Sequence, residues 1–123
     1  MSFKIKKNTL LIDQHDKNFM YGGKFGGNFI PETLKKPVDD LTKLFAKLRK
    51  DKKFLRERNH FFTSYVGTPT PFIKLENLSD NLGGAQIYAK VVSEANGGAH
   101  KIYNATVHCL IAKKAGKKYV VGD

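Results

Sequence analysis

Gly97-Gly98-Ala99-His100-Lys101 stands where a strand-like run gives way to an apolar helical one. A lysine at the mouth of an apolar helix, behind two glycines, can be partly desolvated. Desolvation favours the neutral amine, which is the form that attacks a carbonyl to make a Schiff base. In a chain with 22 lysines and arginines, so short a motif does not by itself separate such an amine from a solvated one. The other residue types that carry chemistry point to packing. Cys109, the single cysteine, lies in an apolar helical run and reads as a buried thiol of a reducing compartment, with no second cysteine for an intramolecular disulfide. His60 lies beside the apolar face of a predicted helix, with no second ligand three or four residues further on and no cysteine nearby. It reads as a surface or interfacial histidine rather than a metal ligand.

The elements that must position Lys101 follow from hydrophobic spacing. Residues 1–20 lack a clear period and read as a tail or a short strand around Thr9 to Ile12. The glycines from Gly22 to Gly27, interrupted by Lys24 and Phe25, do not form Gly-x-Gly-x-x-Gly after a strand, which disfavours a dinucleotide loop and leaves a packed loop. Pro37 suits a first helical turn, and Val38, Leu41, Leu44, Phe45 and Leu48 then recur at helical spacing to Lys50. Asp51 can cap a second helix whose face carries Phe54, Leu55, Arg58, Phe61, Phe62 and Tyr65, ended by Gly67 and Thr68-Pro69-Thr70-Pro71. Leu75, Leu78 and Leu82 suggest a short third helix stopped at Gly83-Gly84.

From Gln86 to Val92 the period becomes strand-like, Ser93 to Gly98 is a loop, and Asn96 is a candidate cap for the helix that follows. Between Lys101 and Ala115 the apolar residues Ile102, Ala105, Val107, Cys109, Leu110, Ile111 and Ala112 cover nearly the whole helical circumference, so that helix must be buried. Gly116 closes it, and Lys118 to Gly122 begins another strand. Strand, helix and strand make one right-handed βαβ unit. The expected class is α/β: amphipathic helices followed by a βαβ unit of an incomplete parallel sheet, because parallel sheets need helices on both faces and more strands than two. Residues 1–20 form the tail and 21–123 a partial domain, cut off in mid-sheet.

Composition bounds the partners. Hydrophobic residues make up 41% with nine Phe and five Tyr, a globular proportion. The start has basic residues, but only Leu10-Leu11-Ile12 precede Asp13, too short for a signal-peptide core, and no run is long enough to span a membrane. A cytoplasmic protein is expected. The net charge of +11 attracts polyanions. The basic residues are nevertheless dispersed, dense only from Lys43 to Arg58, and no nucleic-acid motif accompanies them, which is the pattern of a lysine-rich solvated surface.

Three stretches carry a wider resemblance. Tyr21-Gly-Gly-Lys-Phe-Gly-Gly-Asn-Phe-Ile-Pro-Glu-Thr-Leu34, then Tyr65-Val-Gly-Thr-Pro-Thr-Pro-Phe72, then Gly97-Gly-Ala-His-Lys-Ile-Tyr-Asn104 resemble successive landmarks of the tryptophan synthase beta chain, in order and in spacing. That family belongs to the fold type II pyridoxal-phosphate class of lyases and serves tryptophan biosynthesis by joining indole to L-serine. The resemblance runs from Tyr21 almost to Asp123 but covers only the front portion of the family's longer polypeptide. It implies that Lys101 carries pyridoxal phosphate as a Schiff base, exchanges it for serine and shuttles the α-proton. It also implies that His100 supports the cofactor phosphate, with Asn104 in the first turn of the same helix, where free backbone N–H groups favour an anion. Asp123 falls where the family has its catalytic glutamate, just before a Thr-Gly-Ala-Gly-Gln-His segment that holds the substrate carboxylate.

Several positions in two stretches depart from that pattern. The family's Lys-Arg-Glu-Asp-Leu-Asn-His-Thr-Gly is here Lys90-Val-Val-Ser-Glu-Ala-Asn-Gly-Gly98, and its Gly-Arg-Pro-Thr-Pro is Gly67-Thr-Pro-Thr-Pro71, with Thr68 in place of arginine. Without the communication domain, the phosphate-gripping glycine loop and the cation site that the family carries further on, the lone chain is expected to be inactive. The implied partners are a C-terminal half, a second beta chain and an alpha chain. The competing expectation is a non-catalytic basic interaction module that kept the scaffold and binds a protein or nucleic acid.

Overall fold

The computed structural model describes residues 8–122, so Asp123 lies outside the described residues. They fall into two compact units, Met1–Asp39 and Asp40–Asp123. Across both, the architecture is mixed α/β, with four α-helices and two small antiparallel sheets among the described residues.

In the first unit a carboxylate and the glycines build a hairpin. Asp16 Oδ1 accepts from the backbone N–H groups of Asn18 (2.8 Å) and Met20 (2.9 Å), and Phe19 between them is left-handed at φ +61°. β1 (Met20–Tyr21) and β2 (Phe25–Gly26) then pair antiparallel, Met20 opposite Gly26 and Tyr21 opposite Phe25. The connection needs positive φ at Gly22 and Gly23 (60° and 71°), the backbone twist that suits a tight hairpin. Gly26 has a second reason to be glycine: a Cβ there would lie 2.7 Å from the Phe19 carbonyl oxygen. The strand expected around Thr9 to Ile12 is instead a 3₁₀ turn, Leu11–Asp13, because no neighbouring strand takes up its backbone groups. Helix α1 (Glu32–Leu48) begins earlier than expected, which puts Pro37 inside the helix rather than in its first turn. Its missing N–H forgoes only the single bond to the Thr33 carbonyl. The division between the units falls within α1.

The second unit is held by a small core. Asp51 Oδ1 accepts from Lys53 N–H at 2.8 Å and caps α2 (Lys52–Phe61), as the sequence predicts. A π-helical turn, Phe62–Val66, continues it and stops at Gly67, left-handed at φ +83°. The Thr63 hydroxyl donates to the carbonyls of Asn59 and His60, and the Ser64 hydroxyl to that of His60. α3 (Glu76–Leu82) ends at left-handed Gly83, and α4 spans Lys101–Lys114. Leu48, Phe54, Leu110 and Ile111 are buried together, with Leu44, Leu55, Phe61 and Val107 packed around them. The last turn of α1, α2 and α4 thus share one apolar centre.

The sheet of this unit differs from the expected one. The strand predicted over Gln86–Val92 is realised as β4 (Tyr88–Lys90), but its partner is β3 (Phe72–Lys74), antiparallel, with Phe72 opposite Lys90 and Lys74 opposite Tyr88. Val91 N–H to the Pro71 carbonyl and Leu75 N–H to the Ile87 carbonyl extend the pairing at either end, both 2.9 Å. Residues 118–122 form no strand; Tyr119 and Val121 are 86% and 92% exposed. A lone parallel pair has slanted, weaker bonds and no sheet to join, so β3, returning through α3, takes the edge that the βαβ reading gave to 118–122. Among the described residues no helix is long and apolar enough to cross a membrane.

One ion pair ties α2 to α4. Glu57 and Lys114 meet at 2.6 Å, and this hydrogen bond, helped by the charges of Lys114, Lys113 and Lys53 against some desolvation, holds the Glu57 carboxyl below the usual carboxylate range. A carboxyl with a lower pKa folded than unfolded adds stability that is present above its unfolded pKa and lost as pH falls through its folded pKa. The α2–α4 contact should therefore weaken below about pH 4. Glu57→Gln should remove that part of the acid dependence, read from melting temperatures between neutral and acid pH. Identical pH profiles for the two proteins would show the pair to be idle.

Candidate functional site

Lys101 opens α4, and the loop before it is fixed from below. Ala95 is buried, and the Asn96 N–H donates to the Val66 carbonyl at 2.9 Å, anchoring the loop to the end of the π-turn. Gly98 N–H donates back to Ala95, and Gly97 and Gly98 both lie at positive φ (88° and 70°). A Cβ at either would meet nothing within 4 Å, so these glycines are required by backbone conformation and not by close packing. Asn96, expected to cap α4, does not do so. It lies five residues before the helix, where its backbone N–H makes the Val66 anchor, and the N-cap is His100, which is αR and makes no side-chain cap bond. The first-turn N–H groups of α4 are left without a side-chain partner at their mouth, a setting that favours an anion.

His100, Lys101 and Asn104 are exposed. The partial desolvation expected of Lys101 is therefore not supplied by the described residues: the first turn of α4 packs through Tyr103, edge-on to Phe62 at 5.8 Å, while Lys101 itself stays exposed. One departure from the family pattern, Thr68, has a local structural role instead. Thr68 donates its hydroxyl and its N–H to the Phe62 carbonyl, both at 2.9 Å, closing the π-turn. The Lys90 ammonium donates to the Thr70 carbonyl, while the buried Thr70 hydroxyl has no protein partner. That link was not read from the sequence. A lysine directly across a strand pair from the end of a Pro-rich break is the signal that could have found it.

Helix α4 is buried on one side only. Thr106, Leu110 and Ile111 face the core, whereas Ala105, His108 and Cys109 are exposed. Two expectations are corrected here. The helix is not covered all round, and Cys109 is an exposed thiol rather than a core one. Apolar periodicity states what a helix needs covered, and this unit has only α2, the π-turn and the end of α1 to cover it with. The uncovered side borders an apolar groove of about 340 Å³ lined by Phe61, Tyr65, Ile102, Ala105, Cys109 and Leu110. His60 stands outside it, exposed, edge-on to Phe61 at 5.9 Å.

No protein-family model matches the chain. Among curated proteins it is similar to the tryptophan synthase beta chain of Fusobacterium nucleatum subsp. nucleatum, 40% identical over 103 residues, which cover 84% of this chain and 26% of that protein. The chain spans about a quarter of the length of the curated relative it matches. Over most of its own length, then, this chain is a homologue of the tryptophan synthase beta chain.

Proposed function

We propose that these residues are the lysine-bearing front portion of a tryptophan synthase beta-type enzyme of the fold type II class, whose reaction joins indole to L-serine to give L-tryptophan. The observation that carries the reading is the 40% identity to a tryptophan synthase beta chain across 84% of this chain. The residues fit pyridoxal phosphate in their chemistry: a sterically free primary amine at Lys101, His100 beside it, and uncapped N–H groups at the start of α4. When bound, that cofactor supplies an electron sink for the substrate carbanion. Lys101 would hold it through Nζ, and the same Nζ would move the substrate α-proton. His100 and the first-turn N–H groups would hold its phosphate. Asp123 would supply the acid that assists departure of the serine hydroxyl. The same reading gives a C-terminal portion, a second beta chain and an alpha chain as partners, and the cytoplasm as the compartment.

Incubation with pyridoxal phosphate, borohydride reduction and peptide mapping tests the assignment. The label should concentrate on Lys101 and be lost in Lys101→Ala, because phosphate attraction at the uncapped helix start adds to amine reactivity there and at no mid-helix lysine. A label spread over the surface lysines contradicts it. Salt-dependent binding to nucleic acid with no Lys101 adduct would favour the basic-module reading in its place.

A further inference from the structure

We propose that the basic band across α2 and the end of α4 is a docking surface for the phosphate backbone of a nucleic-acid duplex, separate from Lys101 and independent of the catalytic reading. Successive residues of a helix turn through about 100°. With Phe54 of α2 buried in the core, Glu57 falls on the flank of the helix, and Lys53, Arg56 and Lys52 follow it in that order round the outer side, all three exposed. α4 meets that flank with its last turn. Lys114 is bonded to Glu57 at 2.6 Å, and the exposed Lys113 acts through its charge on the same carboxylate, as Lys53 does from α2. Cations from two distant stretches of the sequence are thereby gathered into one band. The carboxylates beside them are already engaged, Glu57 with Lys114 and Asp51 as the cap of α2.

The make-up of the band selects the partner. A helix that lies on a membrane sets apolar side chains into the lipid beside its cations, but Phe54 and Leu55 of α2 are packed in the core. An acidic protein surface is held chiefly by aromatic and aliphatic anchors at the centre of the contact, and the band has none. Single strands stack their bases on aromatic rings, which the band also lacks. Duplex phosphates need only lysine and arginine, with Arg56 able to grip two oxygens of one phosphate. Such contacts position a duplex without reading its sequence.

The test is fluorescence anisotropy of a short labelled DNA duplex of arbitrary sequence, titrated with the 123-residue chain at salt concentrations between about 50 and 200 mM. The logarithm of the affinity should fall linearly with the logarithm of salt concentration, with a slope of about −3 to −4, as three or four phosphate contacts require. Lys53→Gln, Arg56→Gln and Lys113→Gln together should flatten that slope by about 3 and weaken binding at least about tenfold near 100 mM salt. All three positions are exposed, so the helical circular dichroism should not change. Lys17→Gln, Lys24→Gln and Lys74→Gln remove the same net charge from exposed positions on other elements and should weaken binding less than about threefold. Equal losses in the two triple variants overturn the proposal, because net charge alone would then account for binding. A parental slope shallower than about −1, or no binding near 100 mM salt, overturns it without reference to any variant. Binding to anionic lipid vesicles but not to the duplex overturns it in favour of a membrane surface. Pyridoxal phosphate labelling of Lys101 should be the same in the parent and in both triple variants, so failure of the catalytic reading and failure of this one are read separately.

Discussion

Phe54→Ala should abolish the cooperative melt of residues 40–123. Phe54 is 5% exposed in the cluster with Leu48, Leu110 and Ile111, and it is the buried side chain that α2 contributes to it. Truncating a buried phenylalanine costs about 3–5 kcal/mol in lost transfer energy and residual cavity. Whole domains are stable by only about 5–15 kcal/mol, and a core with so few fully buried side chains belongs at the low end. Thermal unfolding followed by circular dichroism should show a broad, early transition for this variant. Leu82→Ala, at a leucine 65% exposed beyond the core, should melt within error of the parent. A sharp transition at the parental temperature for Phe54→Ala would mean that the cluster does not hold the unit together.

The same core explains what could be read from the sequence and what could not. Asp51, Gly67 and Gly83 were legible because caps and stops are local: a side-chain oxygen two residues from an N–H, or a backbone angle only glycine takes readily. β3 was not. Phe72-Ile-Lys is a short run beside two prolines, and its strand character exists only through pairing with Tyr88–Lys90, residues that a chain-local reading cannot bring together. The error over α4 was of another kind. Periodicity states which sides of the helix are apolar and not what stands over them, so a helix that reads as buried all round leaves Ala105 and Cys109 exposed in this unit. At the candidate site, the position of Lys101 at a helix start was legible from Gly97-Gly98 and the change of period. The exposure of its amine depends on what lies over it, and no local signal carries that.

The larger functional prediction concerns turnover. The 123-residue chain alone should form no tryptophan from indole and L-serine in the presence of pyridoxal phosphate, because Lys101 is exposed to water and nothing on the described residues positions a substrate against it. Rate enhancement by a positioned nucleophile depends on holding the reacting groups in near-attack geometry, and an amine free in solvent has none of that advantage. Co-expression with the complementary part of the Fusobacterium nucleatum chain should produce turnover detectable by the absorbance change on converting indole. Tryptophan formation by the lone chain that disappears in Lys101→Ala would show that the site is more complete than its exposure indicates.

The measurement that bears most directly on the central assignment is made on that pair with Lys101 changed in two ways. Lys101→Ala removes the amine and the charge, whereas Lys101→Arg keeps a cation at the start of α4 but cannot condense with an aldehyde. If Lys101 is the cofactor lysine, both variants should lose tryptophan formation by about 10³-fold or more while still co-purifying with the complementary part. Lys101→Arg retaining most of the parental rate would contradict the assignment and leave Lys101 as a surface charge.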